Sequence, residues 1–148
     1  MSNPEGWLEH TVQVKVERPI ADIWQLWSDL EQMPHWMKWV KSVHISPEQP
    51  ELSSWTLGTD AFNFTWRSRI AKQIHHQIIQ WESIEGLPNR GAIRFYDQYP
   101  ETIVKLTVAY AIPGIIGQVM DRLFLGQLVE STLQADLDRF RNYAISKI

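Results

Sequence analysis

The last third of the chain constrains the fold most. From Ala111 the sequence breaks at Pro113-Gly114 and then runs to Ile148 without another proline. Within that run Leu125, Val129, Leu133, Leu137, Phe140 and Ala144 recur at steps of four and three, which places them along one side of a helix. Asp121, Arg122, Glu130, Asp136, Asp138, Arg139 and Arg141 fall mostly on the other sides, as a solvated face requires. A helix this long needs a broad apolar surface to lie on, so the upstream sequence must supply one.

Upstream, the pattern is mostly that of strands. Leu8 to Glu17 alternates Val12, Val14 and Val16 against Thr11, Gln13, Lys15 and Glu17, a half-buried strand. Arg18-Pro19 ends it, and Ile20, Ile23, Trp24 and Trp27 mark a helical face. Asp29 with Gln32 three residues on has capping-box spacing and predicts a second short helix carrying Met33, Trp36, Met37 and Val40. Strands are then expected around Val43-Ile45, Trp55-Leu57, Phe62 to Ile70, Ile78 to Ile84, Gly91 to Tyr96 and Thr102 to Ile112. Short strands joined by short turns predict an antiparallel meander. The order is β-α-α-β6-α. The expected class is α+β, a curved antiparallel seven-stranded sheet wrapped around the long C-terminal helix, the helix-grip arrangement.

Composition narrows the function. At 148 residues a single domain spanning 1–148 is expected. A net charge of −3 argues against a nucleic-acid protein that relies on a general positive field. With no cysteine there is no thiolate nucleophile or cysteine metal site. Neither a signal peptide nor a membrane span is expected, which predicts a soluble cytoplasmic protein. Eight tryptophans are more than a packed core ordinarily needs, and cavities for flat or greasy ligands use them.

With the element order established, several segments look familiar. The run from Ile20 to Met37, with Ser28-Asp29 and then Pro34-His35-Trp36, resembles the opening helix pair of the START/polyketide cyclase-dehydrase (SRPBCC) superfamily. Trp81-Glu82-Ser83, Gly86 to Asn89 and Gly91 to Phe95 are similar to the middle strands of its cyclase/dehydrase branch. The last strand, its Pro-Gly loop and the long helix fit as well, and the likeness extends to coenzyme Q-binding START-like proteins. The resemblance implies a cavity for a hydrophobic small molecule such as a lipid, isoprenoid quinone or polycyclic aromatic. It equally allows a polyketide cyclase or dehydratase, or a factor that engages a large partner such as the ribosome through Arg67, Arg69 and Lys72.

In such a fold, alternation sends Phe62, Phe64, Trp66 and Ile70 inward and Arg67 and Arg69 outward. Phe95 and Tyr110 add to the interior, Trp27, Met33 and Trp36 come from the helix pair, and Met120, Phe124 and Leu128 from the long helix. The alternative at each position is solid packing. For catalysis the candidates are Tyr110, as a hydrogen-bond or proton donor to a bound carbonyl, with Glu82 and Arg94. The last two lie on neighbouring strands, where a plain cross-strand ion pair competes with a catalytic role. No metal or other cofactor is expected: His75-His76 would point to opposite faces of a strand, and His10, His35 and His44 lack ligand spacing. Trp36, Trp39, Lys38 and Lys41, with the Ile112 to Ile116 tip, allow transient membrane contact.

Overall fold

A computed structural model of the protein describes residues 7–61, 63–111 and 122–147. Seven strands form one sheet: β1 (Trp7–Val16), β2 (Val40–Ile45), β3 (Leu52–Gly58), β4 (Asn63–Ile74), β5 (Ile78–Gly86), β6 (Asn89–Gln98) and β7 (Glu101–Ala111). Their order is β1-β7-β6-β5-β4-β3-β2, with every pair antiparallel. Helix α1 (Ile20–Trp27) follows β1, and helix α2 (Arg122–Lys147) follows β7. This is the helix-grip arrangement expected from the sequence. The pairing register shifts between Arg67 and Ser68 and again between Ile70 and Lys72, where β4 meets β5. An extra residue on one strand bends it and raises its local twist, and so curls the sheet towards α2.

The expected second helix is a 3₁₀ segment instead, Leu30–His35. Pro34 lies inside it and has no N–H with which to extend an α-helical ladder. The capping box does not form. The Asp29 side chain caps nothing, and the Gln32 N–H bonds the Asp29 backbone carbonyl at 3.0 Å. Short as it is, the segment buries Leu30 and Met33, and its Glu31 carboxylate accepts the Ile45 N–H at 2.9 Å on the outermost strand. A carboxylate on an edge-strand donor is one way to keep that edge from pairing with another chain.

The other edge is held by α2. His10 lies beside Glu130, the Gln134 amide donates to the Gln13 carbonyl at 3.0 Å, and Arg141 Nε donates to Glu17 at 3.0 Å. Arg18 closes the series by donating to the Ile145 carbonyl at 3.1 Å. Both residue numbers rise together, so α2 runs alongside β1 in the same direction. The geometry is commensurate, since fifteen helical residues span about 22 Å and eight strand residues about 26 Å.

The core concentrates at the C-terminal half of α2. Leu137, Phe140 and Ala144 are buried there with Trp27 and Trp36. Phe140 meets both indoles edge to face, at 4.8 Å from Trp27 and 4.9 Å from Trp36. Such pairs contribute about 0.5–1.5 kcal/mol beyond the area they bury.

Candidate ligand cavity

The N-terminal half of α2 does not pack down in the same way. Leu125, Leu128, Val129 and Leu133 face a cavity of about 440 Å³ whose remaining walls come from β2 to β7, α1, the 3₁₀ segment and the chain that follows it. That is ample for a drug-sized ligand. The strand walls follow from alternation: Phe64, Trp66, Ser68 and Ile70 line the cavity, while Arg67 and Arg69 are exposed on the other face. There Arg67 pairs with Glu85 and Arg69 with Glu82, so each of these arginines already has a carboxylate beside it.

Two tryptophans give the cavity a flat wall. Trp55 and Trp66 are cross-strand partners, and their rings stack with centroids 5.7 Å apart and planes within 11° of parallel. Most polar side chains in the lining are tied to other protein groups. Trp55 Nε1 donates to Ser53 Oγ at 2.8 Å, and Trp81 Nε1 donates to Asn89 Oδ1 at 3.2 Å. Asn89 in turn donates to the Leu87 carbonyl at 2.8 Å, and Ser68 to the Glu82 carbonyl. The walls therefore present apolar surface, with hydrogen bonds directed into the scaffold.

Of the residues expected at a ligand site, Trp27, Met33, Phe64, Trp66, Tyr110 and Leu128 stand on this wall. Trp36 and Phe95 do not. Trp36 is 1% exposed among Trp27, Phe140 and Tyr143, and Phe95 is buried against Trp24 with centroids 5.3 Å apart. Both are packed core because a neighbouring ring fills the space beside them. Phe62 and Met120 lie outside the described residues, as do the side chain of Phe124 and the Ile112 to Ile116 tip.

The catalytic trio separates. Tyr110 is on the cavity wall, but Arg94 is exposed and alternates with the inward Ile93 and Phe95. Glu82 alternates with the inward Trp81 and pairs with Arg69 on β4. The register places Arg94 opposite Ile78 and Glu82 opposite Arg90, so the expected Glu82–Arg94 pair is not made. His75 and His76 stack on each other at a turn, with ring centroids 3.8 Å apart, contrary to the opposite-face expectation. His76 has φ 63, which takes the pair out of strand geometry. Among the described residues no group of three or more His, Asp or Glu is placed to hold a metal.

Sequence reasoning weighed His10 only as a metal ligand and missed its place beside Tyr110. It is 8% exposed, its Nε2 lies 3.1 Å from the Tyr110 hydroxyl, and its Nδ1 lies 3.3 Å from Glu130 Oε1. The signal was present: His10 stands two residues before Val12, in phase with the inward valines of β1. A second buried polar group ties α2 to the chain after the 3₁₀ segment. Asp136 is 2% exposed, accepts the Lys38 N–H at 3.1 Å and pairs with Arg139, whose Nε donates to the Trp36 carbonyl at 3.1 Å. Burial pushes the Asp136 carboxyl above its ordinary value, against the opposing pull of the Lys38 N–H and Arg139.

No helix among the described residues is long and apolar enough to cross a membrane. A family model described as polyketide cyclase/dehydrase and lipid transport matches residues 16–138. Among solved structures, a protein of Thermus thermophilus superposes with a TM-score of 0.80 at 18% identity, covering 95% of this chain and 99% of that one. The ZhuI aromatase/cyclase of Streptomyces sp. R1128 gives 0.74 at 19% identity, with 93% of each chain covered. A START superfamily protein of Mycobacterium smegmatis gives 0.77 at 11% identity, covering 95% and 99%. At such identities the likeness is one of fold alone. A comparison with curated protein sequences gives no match.

Proposed function

Since the chain belongs to the polyketide cyclase/dehydrase and lipid transport family, we propose that it binds and carries a hydrophobic small molecule in the cavity between sheet and α2. Lipids, isoprenoid quinones and polycyclic aromatics are the candidate classes. The observation that carries this reading is the cavity wall: about 440 Å³ lined by tryptophan, leucine and valine, with Ser53, Ser68 and Asn89 each bonded within the protein. Transfer of an apolar guest from such walls costs little polar desolvation, and burial of its surface drives association. Loading through transient contact with a membrane belongs to the proposal, and co-flotation with liposomes at low salt tests that part.

Native mass spectrometry of the purified protein, before and after organic extraction, tests the main reading. A bound apolar species lost on extraction is the expected result. An empty protein that takes up no lipid, quinone or polycyclic aromatic on exposure would sink it. One observation favours a second reading, cyclisation or dehydration in the same cavity: Tyr110 stands on the wall with His10 within hydrogen-bonding distance. Turnover of an aromatic polyketone precursor would establish it.

A further inference from the structure

Arg94 lacks its expected carboxylate, and a second cation stands beside it instead. The register sets Arg94 of β6 directly opposite Lys105 of β7. Both alternate with inward residues, Ile93 and Phe95 on one strand and Val104 and Leu106 on the other, so they share the outer face of the sheet, away from the cavity. Arg94 is exposed and Lys105 half-buried. Like charges directly opposite each other are destabilising, so the pair calls for a counter-charge.

The neighbouring positions do not supply one. The row continues to Gln13 on β1 and to Ile78 on β5, while Ala92 and Tyr96 flank Arg94, and Ile103 and Thr107 flank Lys105. None of these is acidic. Carboxylates of the same face are engaged elsewhere: Glu82 with Arg69, Glu85 with Arg67 and Glu101 with Lys15. Glu9 stands further along β1, about 13 Å of strand from Gln13. Among the described residues no carboxylate forms an ion pair with Arg94 or Lys105.

We propose that Arg94 and Lys105 form a binding site for a phosphomonoester dianion on the outer face of the sheet. The planar guanidinium offers paired N–H donors to two phosphate oxygens, and the ammonium adds a point charge with donors for a third. That the anion is compact follows from the charges around it. The chain carries −3 overall, with Glu82, Glu85 and Glu101 on the same face, so an extended polyanion is repelled at its flanks while a single dianion meets two local cations. Tyr96, 44% exposed and next to Arg94 on that face, offers a ring to the group that the phosphate esterifies. The site lies across the sheet from the cavity and stands whether or not the cavity holds a guest.

Titration of the isotope-labelled protein with inorganic phosphate and phenyl phosphate, followed by the backbone amide resonances of β6 and β7, tests the site. Sedimentation with phosphatidylcholine vesicles, with and without phosphatidic acid, tests the same chemistry on a lipid. A saturable shift centred on Arg94 and Lys105 is the expected result. Arg94→Gln and Lys105→Met each remove one charge and keep most of the side-chain bulk. Each should weaken phosphate binding about tenfold or more. In chloride at equal ionic strength, each should also raise the melting temperature by about one degree, because the repulsion is relieved. Binding lost together with stability gained is a signature that a packing role does not produce. No response to phosphate, phenyl phosphate or phosphatidic acid overturns the proposal. So does a shift that persists in both variants, or a melting temperature that both substitutions lower. Retention on phosphatidic acid vesicles in preference to the soluble anions assigns the monoester to a lipid headgroup, and the reverse order assigns it to a soluble phosphate.

Discussion

Trp81 occupies the space above Gly91, its cross-strand partner. A Cβ built on Gly91 would stand 2.5 Å from Trp81 Cζ2 and closer still to the Thr107 carbonyl oxygen. The second contact is to backbone of the neighbouring strand, so no rotamer change can relieve it. Gly91→Ala is therefore expected to lower stability by about 1–3 kcal/mol, as overpacking does. It should also disturb the Trp81–Asn89 hydrogen bond in the cavity wall. Urea denaturation measures the first effect and near-UV circular dichroism the second. A wild-type midpoint in urea would refute the account.

Trp36 and Leu128 should behave as opposites. Trp36 is enclosed by Trp27, Phe140 and Tyr143, and its truncation to alanine is expected to cost about 3–5 kcal/mol. Leu128 stands on the cavity wall and is 37% exposed, so Leu128→Ala should cost less than about 1 kcal/mol. Its effect should fall on uptake of an apolar dye instead. Paired melting and dye-binding curves decide the matter, and the reverse assignment of the two effects would show that the cavity boundary is misplaced.

The buried Asp136 gives stability a pH dependence of unusual sign. Burial raises its folded-state pKa above the ordinary value of 3.8, so its contribution is fully present below that value and is lost as pH rises through the folded pKa. Glu17 acts in the opposite sense. The Arg141 side-chain hydrogen bond lowers its pKa, so its contribution is present above the ordinary value of 4.5 and is lost as pH falls through the lowered one. Comparison with Asp136→Asn isolates the Asp136 contribution, because asparagine keeps an acceptor for the Lys38 N–H and does not titrate. The melting temperature of the wild type should fall relative to the variant as pH rises above 3.8. A constant difference across that window would argue that Arg139 offsets the burial penalty fully.

Filling the cavity should separate hollow from packed. Val108 lies on the wall, half-buried. Val108→Phe is expected to weaken uptake of fluorene about tenfold or more while shifting the melting temperature by only about two degrees. A large loss of stability would mean that the space is unavailable to a side chain and so to a guest.

What could be read from the sequence was periodic, and what could not was a matter of register and neighbours. Phe64, Trp66, Ser68 and Ile70 face inward because strand alternation is a local property, and the stripe from Leu125 to Ala144 follows from helical spacing in the same way. The expected Glu82–Arg94 contact depended on which residue stands opposite which. Two register shifts between β4 and β5, and the partnership of Glu82 with Arg69, cannot be seen in a single strand's pattern. Asp29 and Gln32 matched a helix-start motif, yet Pro34 allowed only a 3₁₀ segment. Trp36 and Phe95 have the composition of cavity lining, and only the positions of Phe140 and Trp24 reveal that their surroundings are full. His10 is the instructive omission. Its phase was legible, but its partners lie 100 and 120 residues away in sequence.

The strap between α2 and β1 has a consequence for how the chain comes together. One side of β1 is paired by β7 and the other is held by α2, so both of its partners are made after β2 to β6. During synthesis the first strand must wait, unpaired, while β2 to β6 assemble by hairpins with near neighbours. Contacts of such long sequence separation close slowly, and an exposed strand is an invitation to wrong pairing in the interval. The alternating Thr11, Gln13 and Lys15 on β1, with Glu17 just beyond it, give the waiting segment polar and charged groups that discourage aggregation. The helix that shapes the cavity thus also completes the hold on β1, and a guest-ready interior exists only once α2 has been made.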